Sequence, residues 1–130
     1  MDRDLIAKAE HAREQALAPY SGFKVGAAIE AEAGLVYSGC NIENISYGLT
    51  VCAERVALWK ALSEGVRNFK RIAVVTDAPI LTFPCGACLQ LLWEYCGDIL
   101  VILHSTQGID EQHQLSELLP HPFDNRSLKL

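Results

Sequence analysis

Leu5, Ile6, Ala9, Ala12, Ala16 and Leu17, with Arg13 among them, recur at spacings of three and four, which predicts a first helix. Pro19 should stop it. Phe23 to Ala31 then reads as a strand, with Gly26 allowing close backbone approach. Glu32-Ala33-Gly34 predicts a turn and Leu35 to Ser38 a return strand. Gly39 to Val51 is irregular, yet it carries Ile42, Ile45 and Tyr47 among its polar residues, so it is a candidate site loop. Cys52 to Glu64 predicts a second helix, with Val56, Leu58, Trp59 and Leu62 along it and Gly65 as its stop. Arg71 to Asp77, built on Ile72-Ala73-Val74-Val75, predicts a buried strand. Pro84-Cys85-Gly86 opens a third helix from Ala87 to about Cys96, ended by Gly97. Ile99 to Leu103 is another buried strand, and the tail keeps Leu115, Leu118, Leu119, Pro120 and Phe123 without a predicted element. Alternation of this kind implies a layered α/β sheet with helices on both faces.

Composition narrows the class. A chain of 130 residues suits one compact domain, expected to span residues 1–130, and half of its residues are hydrophobic. The net charge of -5 argues against nucleic acid and against an anionic membrane surface as partners. No long apolar run marks a signal peptide or a membrane span, so a cytoplasmic protein is expected. Five cysteines cannot all pair within one chain, which turns attention to metal binding.

Two motifs carry the chemistry: Cys52-Ala53-Glu54 and Pro84-Cys85-Gly86-Ala87-Cys88. Both fall at strand-to-helix junctions, where open α/β sheets place their sites. Cys85 and Cys88 are one helical turn apart, and Cys52 starts another helix. Three thiolates can hold a zinc ion and leave its fourth position open, the arrangement of a catalytic site. Glu54, two residues past a ligand, could exchange protons with water there. A non-ligating Glu upstream of Pro-Cys-x-x-Cys is the pattern of zinc deaminases. Cys-x-x-Cys alone would also suit a redox pair, and Cys40 could complete a structural zinc site. Cys96, on an apolar helix face, and Cys40 also suit inert buried thiols. His11, His104, His113 and His121 fit no ligand spacing and read as surface or strand-end residues.

Taken together, these motifs resemble the small cytidine deaminases, the homotetrameric type with three cysteine zinc ligands. The resemblance runs through Tyr20-Ser21-Gly22-Phe23-Lys24-Val25-Gly26-Ala27-Ala28, Gly39-Cys40-Asn41-Ile42-Glu43-Asn44, Cys52-Ala53-Glu54-Arg55, Pro84 to Cys88, and Leu118-Leu119-Pro120 followed by Phe123. It implies a three-layer α/β/α fold with a central mixed sheet. It implies one Zn²⁺ per chain on Cys52, Cys85 and Cys88, with Glu54 as the proton carrier. Asn41 and Glu43 would hold ribose hydroxyls, the Ala53 backbone would meet the pyrimidine edge, and Phe23 would pack against the nucleoside. Tyr47 and Phe123 would reach into a neighbour's site in a homotetramer. The implied activity is hydrolysis of cytidine and 2′-deoxycytidine to uridine and 2′-deoxyuridine with release of ammonia.

Three positions depart from the family pattern. Leu89 stands where an Arg normally follows the last zinc cysteine, which leaves Arg55 as a source of positive charge near the thiolates. Ile45 replaces an Ala, and Phe83 replaces a small polar residue. These two keep open a modified cytosine nucleoside or a nucleoside antibiotic as substrate. A zinc-stapled binding module is the non-enzymatic alternative. Leu89, Leu91, Leu92 and Trp93 are expected to supply part of a subunit interface.

Overall fold

A computed structural model describes residues 2–128. Its elements are α1 (Asp2–Arg13), β1 (Gly26–Ala31), β2 (Val36–Cys40), α2 (Ala53–Ser63), β3 (Phe69–Thr76), α3 (Gly86–Cys96), β4 (Leu100–Ser105), β5 (Ile109–Gln114) and α4 (Leu115–Leu118), with short 3₁₀ turns at Tyr47–Leu49 and Asn125–Leu128. The strands form one sheet in the order β2-β1-β3-β4-β5. Only the β3–β4 pair is parallel; the other pairings are antiparallel, so the sheet is mixed.

Alternation along the strands sorts the core into two sides. Ala73 and Val75 of β3, with Ala28 and Ile102, face Leu5 and Ala9 of α1. Ile72 and Val74, with Ile29, Val101 and Leu103, face α2 and α3 through Ala57, Leu58, Ala61 and Leu92. The result is the expected three layers, α/β/α. Leu58 and Leu92 are each about 1% exposed, and full burial of such a side chain is worth about 1.5–3 kcal/mol.

Several boundaries differ from the sequence pattern. The first helix ends at Arg13 rather than near Pro19. Beyond it the chain tightens into three-residue turns, and Leu17 makes an isolated bridge to Ile42. The strand expected from Phe23 starts at Gly26. β5 and α4 were not expected: β5 is Ile-Asp-Glu-Gln-His-Gln, an edge strand mostly exposed on both faces, so no apolar alternation marks it.

The topology gathers the site at one edge. β2 and β3 both run antiparallel to β1, so their C-terminal ends lie together, flanking the start of β1. Gly26 pairs there with Cys40 on one side and Val75 on the other. The loops that leave this edge lead to Cys52 and to Cys85. Two glycines let the helices lie close. A methyl at Gly26 would collide with the backbone of Ala9, and one at Gly39 would fall 2.7 Å from the Ala57 nitrogen.

Candidate active site

The loop from β2 to α2 is closed by a pair of backbone hydrogen bonds between Ile42 and Val51, each 3.0 Å. Val51 is thereby fixed one residue before Cys52. Cys52 and Cys85 occupy the N-cap positions of α2 and α3, with extended backbone and no side-chain capping bond. Their sulfurs are therefore free for other work, close to exposed N–H groups that favour thiolate. Cys88 is one turn into α3 and buried.

The sulfurs of Cys52, Cys85 and Cys88 all lie within 4.8 Å of one another, the one such group of metal-donor side chains among the described residues. Thiolates on a tetrahedral zinc, about 2.3 Å from the metal, sit about 3.8 Å apart, so the donor set fits. Cys40 is outside this group, so no fourth cysteine closes the site. Cys40 lies at the end of β2, where burial raises its thiol. Cys96, packed against the core, is pushed up by burial to about 12, which disfavours its thiolate. Three of the four histidines pair with carboxylates: His11 with Glu14, His104 with Asp110 and His113 with Glu111.

Electrostatics single out the same corner. The Cys52 thiol is drawn down to about 6, first by a hydrogen bond from Cys88 and then by the charge of Arg55, against the effect of burial. Cys88, sharing that hydrogen bond and buried, is held up. The Arg55 guanidinium is held charged first by a hydrogen bond to Cys88, then by the charges of the three cysteines. Its Nε is buried and has no partner among the described residues. Three thiolates and Zn²⁺ sum to -1, which one Arg neutralises. Leu89 is 6% exposed and belongs to the core between α3 and the sheet. With Leu92 it serves the interior of this chain, so neither residue supplies an interface; Leu91 and Trp93 are partly buried against the same core.

Glu54 is 6% exposed. Burial pushes its carboxyl up to about 7, and the charge of nearby Cys52 adds to the rise. A group poised there can both take and give a proton near neutrality. Ala53, beside it, is fully buried.

Three of the remaining expected residues, Asn41, Glu43 and Tyr47, are tied to the segment 20–25. Asn41 accepts a hydrogen bond from the Val25 N–H at 2.9 Å and donates to the Phe23 carbonyl at 2.8 Å. Glu43 accepts from the Tyr20 and Ser21 N–H groups at 3.0 and 3.1 Å and from the Ser21 hydroxyl. Both side chains thus point the same way, toward the segment 20–25, and fix its path. Phe23 is half-buried. Tyr47 is 74% exposed and leans edge-on against Tyr20, with ring centroids 6.1 Å apart. Phe123 is 60% exposed and is held through its backbone by Gln90. Sequence reasoning gave no role to Gln90 or Ser21. A lone uncharged amide within the apolar run Leu89-Gln90-Leu91-Leu92 was the available signal for Gln90.

Residues 1–104 match the family described as the cytidine and deoxycytidylate deaminase zinc-binding region. The chain belongs to this family. All three clustered cysteines and Glu54 lie within the matched stretch. A cytidine deaminase of Sporosarcina psychrophila is 50% identical over 125 residues, covering 95% of this chain and 92% of the relative. A cytidine deaminase of Halalkalibacterium halodurans is 52% identical over 125 residues, covering 95% of each chain. Among solved structures, the cytidine deaminase of Burkholderia pseudomallei superposes with a TM-score of 0.91 at 46% identity, covering 95% of this chain and 99% of the other. The family's cofactor is zinc, and the three-sulfur cluster is where this member of the family has the donors for it.

Proposed function

We propose that this chain is a zinc-dependent hydrolase that deaminates cytidine and 2′-deoxycytidine to uridine and 2′-deoxyuridine, acting as one domain over residues 1–130. The observation that carries the reading is a buried carboxyl, Glu54, beside a three-sulfur cluster with no fourth protein donor among the described residues.

Cys52, Cys85 and Cys88 hold the metal, and Arg55 offsets the excess negative charge of their sulfurs. When bound, zinc supplies the Lewis acidity that makes water nucleophilic near neutral pH. Glu54 accepts the proton of the attacking water as the new C–O bond forms at C4 of the pyrimidine. It delivers that proton to N3. It then carries the second proton of the water to the departing amino nitrogen as the C4–N bond breaks, so cytidine and water become uridine and ammonia. The Ala53 backbone meets the pyrimidine edge, and Phe23 packs against the nucleoside. Asn41 and Glu43 hold the ribose hydroxyls; their present bonds to segment 20–25 leave carboxylate and amide lone pairs and one amide N–H for that task.

The assembly is a homotetramer in which Tyr47 and Phe123 reach into neighbouring sites. Their exposed rings, on a chain with net charge -5, favour an uncharged nucleoside over a nucleotide. No helix among the described residues is long and apolar enough to cross a membrane. The setting that suits this reaction is pyrimidine salvage in the cytoplasm. Phe83 lies against the His113 ring, with centroids 5.5 Å apart, and Ile45 is 78% exposed on its loop.

The test is ammonia release by the purified protein against cytidine, 2′-deoxycytidine, cytidine monophosphate and a cytosine-containing nucleoside antibiotic. The two nucleosides should give the highest kcat/KM. Faster turnover of the monophosphate or of the antibiotic would reject the assignment.

A further inference from the structure

Gln90 is the one polar residue in the stretch Leu89–Trp93 of α3, and its amide is spent on a single distant residue. Its oxygen accepts from the Phe123 N–H at 3.1 Å, and its nitrogen donates to the Phe123 carbonyl. Both main-chain groups of residue 123 are thereby satisfied by one side chain, the pairing that a neighbouring strand would otherwise provide. Residue 123 lies outside any helix or strand, after Pro122 and before the Asn125–Leu128 turn. The next residue is also tied down. The Asp124 carboxylate accepts from the Arg126 N–H at 3.0 Å and from its guanidinium. The phenyl ring between these ties is nonetheless 60% exposed. Phe123 borders a shallow cavity with Trp93 and Leu128 of its own chain, and most of its surface stays open to a second molecule.

We propose that Gln90 is a positioning residue that sets the direction in which Phe123 projects, so that the ring enters the neighbouring subunit's nucleoside site already ordered. This rests on the shared-site reading given above. Gln90 lies two residues after Cys88 on the same helix, so the clamp ties a ring meant for one site to the helix that carries metal ligands of another. A ring presented by a free tail would have to be ordered each time substrate binds, and that cost would appear as weaker binding.

The test is a double-mutant cycle on zinc-loaded protein, with KM and kcat measured separately for cytidine. Phe123→Ala should raise KM by about tenfold or more. Gln90→Ala should raise KM by a similar or smaller factor with kcat within about twofold, the signature of lost binding rather than lost chemistry. In the double variant, Gln90→Ala should add nothing beyond Phe123→Ala, because it acts only through that ring. If Gln90→Ala lowers zinc content, Gln90→Glu keeps the side-chain volume while losing the donor to the carbonyl, and it should show the same rise in KM. The clamp is rejected if Phe123→Ala raises KM and neither Gln90 variant does. It is equally rejected if the two effects multiply. An unchanged KM in Phe123→Ala overturns the shared site itself.

Discussion

Arg55 is the cation whose charge acts on the sulfur cluster, and it touches Cys88 through a hydrogen bond. With Leu89 turned into the core, position 89 gives no second charge there. Arg55→Gln should therefore keep the fold and weaken zinc binding by about 10–100-fold, the usual effect of losing a partner to a metal ligand. Competition with a chelator, read as zinc released against chelator concentration, checks this; an unchanged affinity would show that the sulfurs need no counter-charge. The clustering of Cys52, Cys85 and Cys88 was legible from sequence because it follows from residue type and from positions at two helix starts. Gln90 was not, because its partner is 33 residues away and only the fold brings them together.

Among the elements, β1 and β3 share a cross-strand pair that α1 completes. Glu30 and Arg71 stand opposite each other in register, 2.6 Å apart, and Asp2 of α1 binds the same guanidinium. The hydrogen bond from Arg71 holds the Glu30 carboxyl below its ordinary range. A carboxyl lowered on folding adds stability that is fully present above the unfolded value. That stability is lost as pH falls through the folded one. Glu30→Gln should thus lower the urea midpoint at pH 7, and the difference from the parent should shrink as pH falls from about 5 to 3. A difference that does not change with pH would mean that packing, not charge, joins these strands. The same elements limit what can change near the site. Gly39→Ala would press a methyl against the start of α2, 2.7 Å from the Ala57 nitrogen. Because α2 begins with Cys52 and Glu54, this variant should lose about 1–3 kcal/mol of stability and also zinc affinity. Urea unfolding and metal content together check it. Gly26 announced its close contact in the sequence by sitting within an apolar strand. Gly39 did not, because it falls where strand and loop are equally plausible. β5 was invisible for the opposite reason, an edge strand whose outward residues give no period.

For the whole molecule, the sheet edge joins two loops and two helix starts into one corner, while the exposed aromatics stand on the outside. Tyr47 and Phe123 are 74% and 60% exposed, and the proposed homotetramer would cover them. Light scattering should give about four times the 14.3 kDa of one chain. An active monomer would remove the shared site. The layered α/β/α architecture was legible because apolar strands alternate with amphipathic helices; the division of α3 into core and outer faces was not, since Leu89 and Leu92 turned out to serve this chain's own core. The most direct single measurement compares ammonia release from cytidine by the parent protein and by Glu54→Gln, with zinc counted in both samples. Gln keeps the shape and removes the proton carrier. Zinc should stay at one per chain while turnover falls by at least 10²–10⁴-fold, about the contribution of one general base. Near-parental turnover in a zinc-replete Glu54→Gln protein would contradict the role given to Glu54 and, with it, the proposed mechanism.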